Sequence, residues 1–165
     1  MDDFSIDVEN CLKVLIGGGI ILYPTDTVWG LGCDATNEDA VNKLSLLKGK
    51  EAGNGLIVLL TSERDLLKYV TQLDLSVLDY LKGSTKPTTV IYEGGTGVCN
   101  DVLASDGSIA IRLTEDEFCR HLIKRAKKPL VSTSANFHCE ATPLSFAHIN
   151  GRIKKEVDYL SLIHI

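Results

Sequence analysis

Two runs gather the residues with chemistry in this chain: Tyr23-Pro24-Thr25-Asp26-Thr27-Val28-Trp29-Gly30-Leu31 and Ser132-Thr133-Ser134-Ala135-Asn136. Each follows an apolar stretch that reads as a buried strand, Ile20-Ile21-Leu22 and Leu130-Val131. Clustered hydroxyls and amides at strand ends put donors and acceptors where open α/β sheets bind ligands. Pro24 fixes its own φ and lacks an N–H. Thr25, Asp26 and Thr27 after it suit an amino-acid-sized ligand, or equally an ordinary Ser/Thr turn. Ser132, Ser134 and Asn136 alternate, so a continuing strand would turn all three to one side, suited to phosphate or ribose. A helix N-cap and turn is the plain alternative. Arg112, near a strand end, can fork onto a carboxylate or phosphate, or make a surface ion pair. Lys48 and Lys50 flank Gly49 past a helix end, where two ammonium groups can converge on phosphates. The plainer reading has them complement the helix dipole and point into water. Trp29, the one tryptophan, reads as core packing ahead of ligand contact.

What is missing narrows the chemistry. There is no Gly-x-Ser-x-Gly elbow, His-Glu-x-x-His pair or Gly-x-Gly-x-x-Gly loop. His121, His138, His148 and His164 have no ligand spacing, so neither a hydrolase triad nor a zinc site is expected. Cations and hydroxyls holding an anion are what remains. Gly17-Gly18-Gly19 follows a helix and precedes a strand, the reverse of a phosphate loop, and reads as a helix stop. The five cysteines (Cys11, Cys33, Cys99, Cys119, Cys139) are odd in number and read as free, mostly buried thiols. A net charge of −5 argues against bulk attraction to nucleic acid. The helix from Glu115 to Lys128, acidic at its start and basic at its end, could face RNA or simply complement its own dipole. The acidic start Met1-Asp2-Asp3 lacks the marks of a signal peptide, and no apolar run approaches the ~20 residues of a membrane span, so a cytoplasmic protein is expected.

The elements that must position these residues alternate along the chain. Val8, Cys11, Leu12, Leu15 and Ile16 have helical spacing. Thr36 or Asn37 caps a second helix with Ala40, Val41, Leu44 and Leu47 on its buried stripe, ended at Lys48-Gly49-Lys50. A turn at Gly53-Asn54-Gly55 leads to a strand at Leu56 to Leu60. Ser62 caps a short helix, and Leu75, Leu78 and Leu81 mark another. Strands follow at Thr88 to Tyr92 and Ile109 to Leu113. Thr114 to Glu117 is a capping box, Leu130 to Ser132 a strand, Pro143 the start of a brief helix, and Val157 to Leu160 a last strand. At 165 residues this predicts one α/β domain, 1–165, with a mixed sheet.

In this order the segments resemble the YrdC-like family over nearly the whole chain. Tyr23-Pro24-Thr25-Asp26-Thr27-x-x-Gly30-Leu31 is similar to its opening signature. Lys48-x-Lys50 stands where the family has Lys-x-Arg, Ile109-Ala110-Ile111-Arg112 resembles its arginine-bearing strand, and Pro129 to Asn136 resembles its Ser-x-Asn signature. The resemblance implies a twisted, open mixed sheet around a positively charged concave cavity. It implies a nucleotidyltransferase that makes threonylcarbamoyl-AMP from L-threonine, bicarbonate and ATP with release of pyrophosphate. The product would pass to a downstream complex that modifies tRNA. Carried over residue by residue, Lys48 and Lys50 would be catalytic and bind the triphosphate, with magnesium. Ser108, Ser134 and Asn136 would hold the nucleotide, and Thr25, Arg112 and Ser132 the threonine. This chain departs from the family pattern at Lys50, at Asn54, at Ser84-Thr85-Lys86-Pro87 and at His138-Cys139. A diverged nucleotide- or RNA-binding relative without synthase activity is the alternative those departures leave.

Overall fold

The computed structural model describes residues 3–49 and 56–163. Six α-helices are described: α1 Asp3–Ile16, α2 Glu38–Lys48, α3 Glu63–Tyr69, α4 Leu75–Gly83, α5 Glu117–Ala126 and α6 Gly151–Glu156. The strands are β1 Ile21–Tyr23, β2 Gly30–Asp34, β3 Ile57–Leu60, β4 Thr89–Tyr92, β5 Ile109–Leu113, β6 Leu130–Ser134 and β7 Tyr159–Leu160. They form one seven-stranded sheet in the order β4-β5-β3-β6-β2-β1-β7. β3 runs parallel to β5 and β1 parallel to β7, while the other neighbours are antiparallel, which makes the sheet mixed.

Alternation along each strand sorts the side chains onto two faces. One face, with Leu22, Leu31, Val58, Ile111 and Val131, packs beneath α2, α3, α4 and α6 through Val41, Leu44, Leu66, Leu78 and Ile153. The other, with Ile21, Tyr23, Leu59 and Leu130, packs under α1 and α5 through Val8, Leu12, Phe118 and Leu122. α1 and α5 cover that second face only in part. Where they stop, Gly30, Ile57, Arg112, Ser132 and Ser134 line an open cavity.

Local chemistry explains most boundaries. Asn37 caps α2 by accepting from the Ala40 amide at 3.0 Å. Gly49 adopts φ 67°, a left-handed cap that lets the chain turn away after Lys48. Asp158 accepts from the Ile20 amide at 2.8 Å and from Lys43 Nζ, and so seats β7 beside β1. Asp7 on α1 accepts from the hydroxyls of Tyr159 and Ser161. Cys11, Cys33 and Cys119 are buried free thiols, and burial pushes all three well above the usual thiol range. Cys139 is exposed and Cys99 half-buried.

Some sequence expectations shift. β2 is a strand that the pattern hides, because Gly30 and Gly32 supply no apolar alternation. β6 runs two residues past Ser132, held by pairing of Ser134 with Gly30. The cap of α5 is Asp116, which accepts from the Cys119 amide at 2.8 Å, and not a box opened by Thr114. The Thr114 amide still bonds to Leu60 O, so the chain remains paired to β3 there and the helix must wait. Pro143 starts no helix; a 3-10 turn at Phe146–His148 and then α6, capped by Asn150, occupy that region. The Gly53-Asn54-Gly55 turn and Lys50 lie outside the described residues.

A Cβ on Gly32 would sit 2.8 Å from the Tyr23 ring and 3.0 Å from Val131 O. One on Gly151, at the start of α6, would meet nothing within 4 Å. Gly32→Ala is expected to cost about 1–3 kcal/mol in a denaturant melt by overpacking. Gly151→Ala should be neutral or stabilise by up to about 1 kcal/mol in the same melt.

Candidate ligand site

The loop between β1 and β2 folds on one hydroxyl. Thr25 Oγ1 accepts from the amides of Thr27 at 3.1 Å and Val28 at 3.2 Å, and donates to Val28 O at 2.6 Å. This is a threonine-centred turn, and it also forms one wall of a cavity of about 210 Å³. The cavity is lined by Thr25, Asp26, Thr27, Val28, Gly30, Ile57, Leu59, Arg112, Ser132, Thr133 and Ser134. The turn reading of the Thr25 run therefore holds, the same residues line a cavity, and the Thr25 hydroxyl proton is already given to Val28.

Arg112 enters from β5. Its Nε donates to Thr89 Oγ1 at 3.0 Å and its Nη1 to Thr27 Oγ1 at 3.4 Å. β4 and the loop thus hold the guanidinium in place as a cavity wall, and no ion pair within 4 Å involves Arg112 among the described residues. Asp26 faces it across the loop. Burial raises the Asp26 carboxyl above its ordinary value, Arg112 pulls it down and Asp116 pushes it up. The cavity thus offers one cation, one anion and several hydroxyls, a set that matches a hydroxy amino acid zwitterion. Its volume lies below the roughly 300–1,000 Å³ of sites for drug-sized ligands, which again suits an amino acid.

Lys48 does not point into water. It is 1% exposed, and its Nζ donates to Ser134 O at 2.6 Å. That carbonyl also accepts from the Asn136 amide at 2.9 Å, and His138 N donates to Lys48 O at 2.8 Å. The end of α2 and the segment after β6 are therefore laced together at Ser134, a residue of the cavity wall, while Lys48 itself does not line the cavity.

The strand ends at Ser134, so Asn136 does not share the alternation of Ser132 and Ser134. Its Nδ2 closes the following loop on Phe137 O at 3.0 Å and Glu140 O at 2.9 Å, which is neither helix cap nor strand. Its Oδ1 is buried with no hydrogen-bond partner among the described residues. Ser108 lies one residue before β5, on the side of Ala110 and Arg112 by alternation, and does not line the cavity. Trp29 packs against Phe146, ring centroids 5.2 Å apart, and onto the core, as expected. Lys124, Lys127 and Lys128 line a separate groove with Lys68 and Asp65.

Sequence reasoning left Tyr23 without a role. Its phenol, fully buried, donates to Ser132 Oγ at 2.8 Å. A tyrosine inside an apolar stretch must find a partner for its hydroxyl, and that requirement was the available signal.

The fold agrees with comparison to known proteins. The Sua5/YciO/YrdC family model, described as "Telomere recombination", matches residues 13–163. The chain belongs to this family. A threonylcarbamoyl-AMP synthase of Idiomarina loihiensis is 36% identical over 148 residues, covering 86% of this chain and 78% of the relative. One of Pseudoalteromonas translucida is 32% identical over 155 residues, covering 92% and 83%. Both names denote nucleotidyltransferase-type enzymes. Among solved structures, P. abyssi Sua5 complexed with L-threonine superposes with a TM-score of 0.82 at 24% identity, over 93% of this chain and 45% of that one. This chain thus spans about half the length of that Sua5. E. coli YciO superposes with a TM-score of 0.81 at 20% identity, over 97% and 78%. At these identities the two structures share the fold. No helix among the described residues is long and apolar enough to cross a membrane.

The raised Asp26 carboxyl has a consequence for stability. Below its ordinary value near 3.8 it is protonated in both folded and unfolded chains. As pH rises past that value the unfolded chain loses the proton first, so folding weakens until the folded carboxyl ionises too. Asp26→Asn should therefore melt higher than the parent at neutral pH, and the gain should vanish in acid, as read by thermal melts across pH.

Proposed function

We propose that this chain forms L-threonylcarbamoyl-AMP from L-threonine, bicarbonate and ATP, releasing pyrophosphate, for threonylcarbamoyladenosine modification of tRNA. The names of its curated relatives support the activity. The observation that carries it is the hydroxyl-lined cavity entered by Arg112, with the Lys48 Nζ–Ser134 O bond joining the end of α2 to a strand residue that lines it. The reading would have failed had the lysine turn and the Ser-x-Asn segment lain apart.

In this reading threonine's amine and bicarbonate condense to a carbamate with loss of water. A carbamate oxygen then attacks the α-phosphorus of ATP, and the α–β phosphoanhydride bond breaks to release pyrophosphate. The carbamate is itself the nucleophile, so no serine–histidine pair is required. The protein must hold two anions together, a task of proximity and electrostatics. Arg112 and Ser132 take the threonine, with Thr25 shaping the wall and Asp26 facing the ammonium. Lys48 and Lys50 meet the triphosphate, which arrives with magnesium as part of the substrate. Ser134 and Asn136 hold the nucleotide, the unpartnered Asn136 Oδ1 offering an acceptor, with Ser108 further along that face. The product passes to a downstream threonylcarbamoyl-transfer complex in the cytoplasm.

Lys48→Met keeps the apolar stem and removes the charge. Threonine-dependent pyrophosphate release should fall by about 10²–10³-fold, the size of losing one aligned charge-stabilising donor. Thermal melting checks that the fold survives. Full release in both Lys48→Met and Lys50→Ala would sink the assignment. Arg112→Lys, which loses the fork, should raise KM for threonine while leaving KM for ATP in place.

A further inference from the structure

We infer that Tyr23 is a positioning residue that aims the hydroxyl proton of Ser132 at an oxygen of the amino acid in the cavity. The inference rests on the threonine-binding reading above and deepens it.

Tyr23 lies on β1 and Ser132 on β6, with β2 between them. Tyr23 pairs with Gly30, and Ser132 pairs with Gly32. The ring crosses β2 over both glycines. A Cβ on Gly30 would approach Tyr23 Cε1 at 3.5 Å and one on Gly32 at 2.8 Å. Two missing side chains thus open a slot that lets a phenol reach past its neighbouring strand. Phe118 closes the slot from α5, its ring centroid 6.3 Å from that of Tyr23.

The hydrogen bond has a direction. Burial pushes the phenol well above its usual range, so it stays protonated and donates. Ser132 Oγ accepts that proton at 2.8 Å. A hydroxyl has one proton of its own to give, and Ser132 is half-buried on the cavity wall. Its proton therefore turns away from Tyr23 towards the cavity. The absent side chain of Gly30, whose Cβ would stand 3.4 Å from Ser132 Oγ, leaves that side of the hydroxyl open. A donor fixed there selects a ligand oxygen, the carboxylate or hydroxyl of a hydroxy amino acid. Packing alone does not call for the phenol oxygen, since phenylalanine has the same ring.

The test is a double-mutant cycle of Tyr23→Phe and Ser132→Ala, read by calorimetric binding of L-threonine and by steady-state pyrophosphate release. Tyr23→Phe should weaken threonine binding by about 3–10-fold, the size of one neutral hydrogen bond. KM for threonine should rise with it, while kcat and KM for ATP stay nearly unchanged. In the Ser132→Ala background the same change should have no further effect on threonine. Additive effects in the double variant, or unaltered threonine binding by Tyr23→Phe, would overturn the inference. A parent protein that binds threonine yet releases no pyrophosphate overturns the synthase reading alone, and the binding cycle still decides the role of Tyr23. A parent that binds no threonine overturns both.

Discussion

A lysine ammonium held inside the protein carries a large solvation penalty unless strong acceptors surround it. Lys48 meets that requirement with the carbonyl of Ser134 at 2.6 Å. The same oxygen receives the Asn136 amide, and the Lys48 carbonyl receives the amide of His138. One peptide oxygen therefore ties the end of a helix to the end of a strand 86 residues later. The rim of the cavity, the course of the loop after β6 and the placing of a positive charge all follow from this junction. A neutral side chain would leave the carbonyl unmet on that side and slacken the join.

The cavity exists because the second face of the sheet is covered unevenly. α1 and α5 shield Ile21, Leu59 and Leu130, then stop short of Ser132 and Ser134. The site lies on the sheet's surface rather than beyond its strand ends. Strand alternation does the sorting: Val131 packs on the opposite face while Ser132 and Ser134 share the cavity side. Glycines at 30 and 32 keep the neighbouring strand flat enough for a ring to lie on it.

How much of this was legible in the sequence depends on the kind of interaction. Helix α2, a cap at Thr36 or Asn37 that the structure gives to Asn37, and its glycine stop could be read because they follow local rules of capping and periodicity. The hydroxyl clusters could be read because such residues are uncommon at the end of apolar strands. β2 could not, since two glycines erase its pattern and its existence rests on pairing with β1 and β6. Asp116 in place of Thr114 as the α5 cap was hidden because β5 keeps its pairing with β3 as far as Thr114. Asn136 was placed in the right neighbourhood with the wrong geometry: its amide closes a loop that no spacing rule describes. The burial of Lys48 was hidden for a related reason, because its partner lies far away in sequence.

β7 adds a constraint of another kind. Its two residues, with Asp158 and Ser161, supply partners for Ile20, Leu22 and Asp7 near the other end of the chain. Contacts so distant in sequence form late and slow folding. Until β7 has been made, β1 has its outer edge bare and α1 lacks its polar tether. Partly folded chains are therefore most exposed to mispairing with one another along that edge until β7 docks.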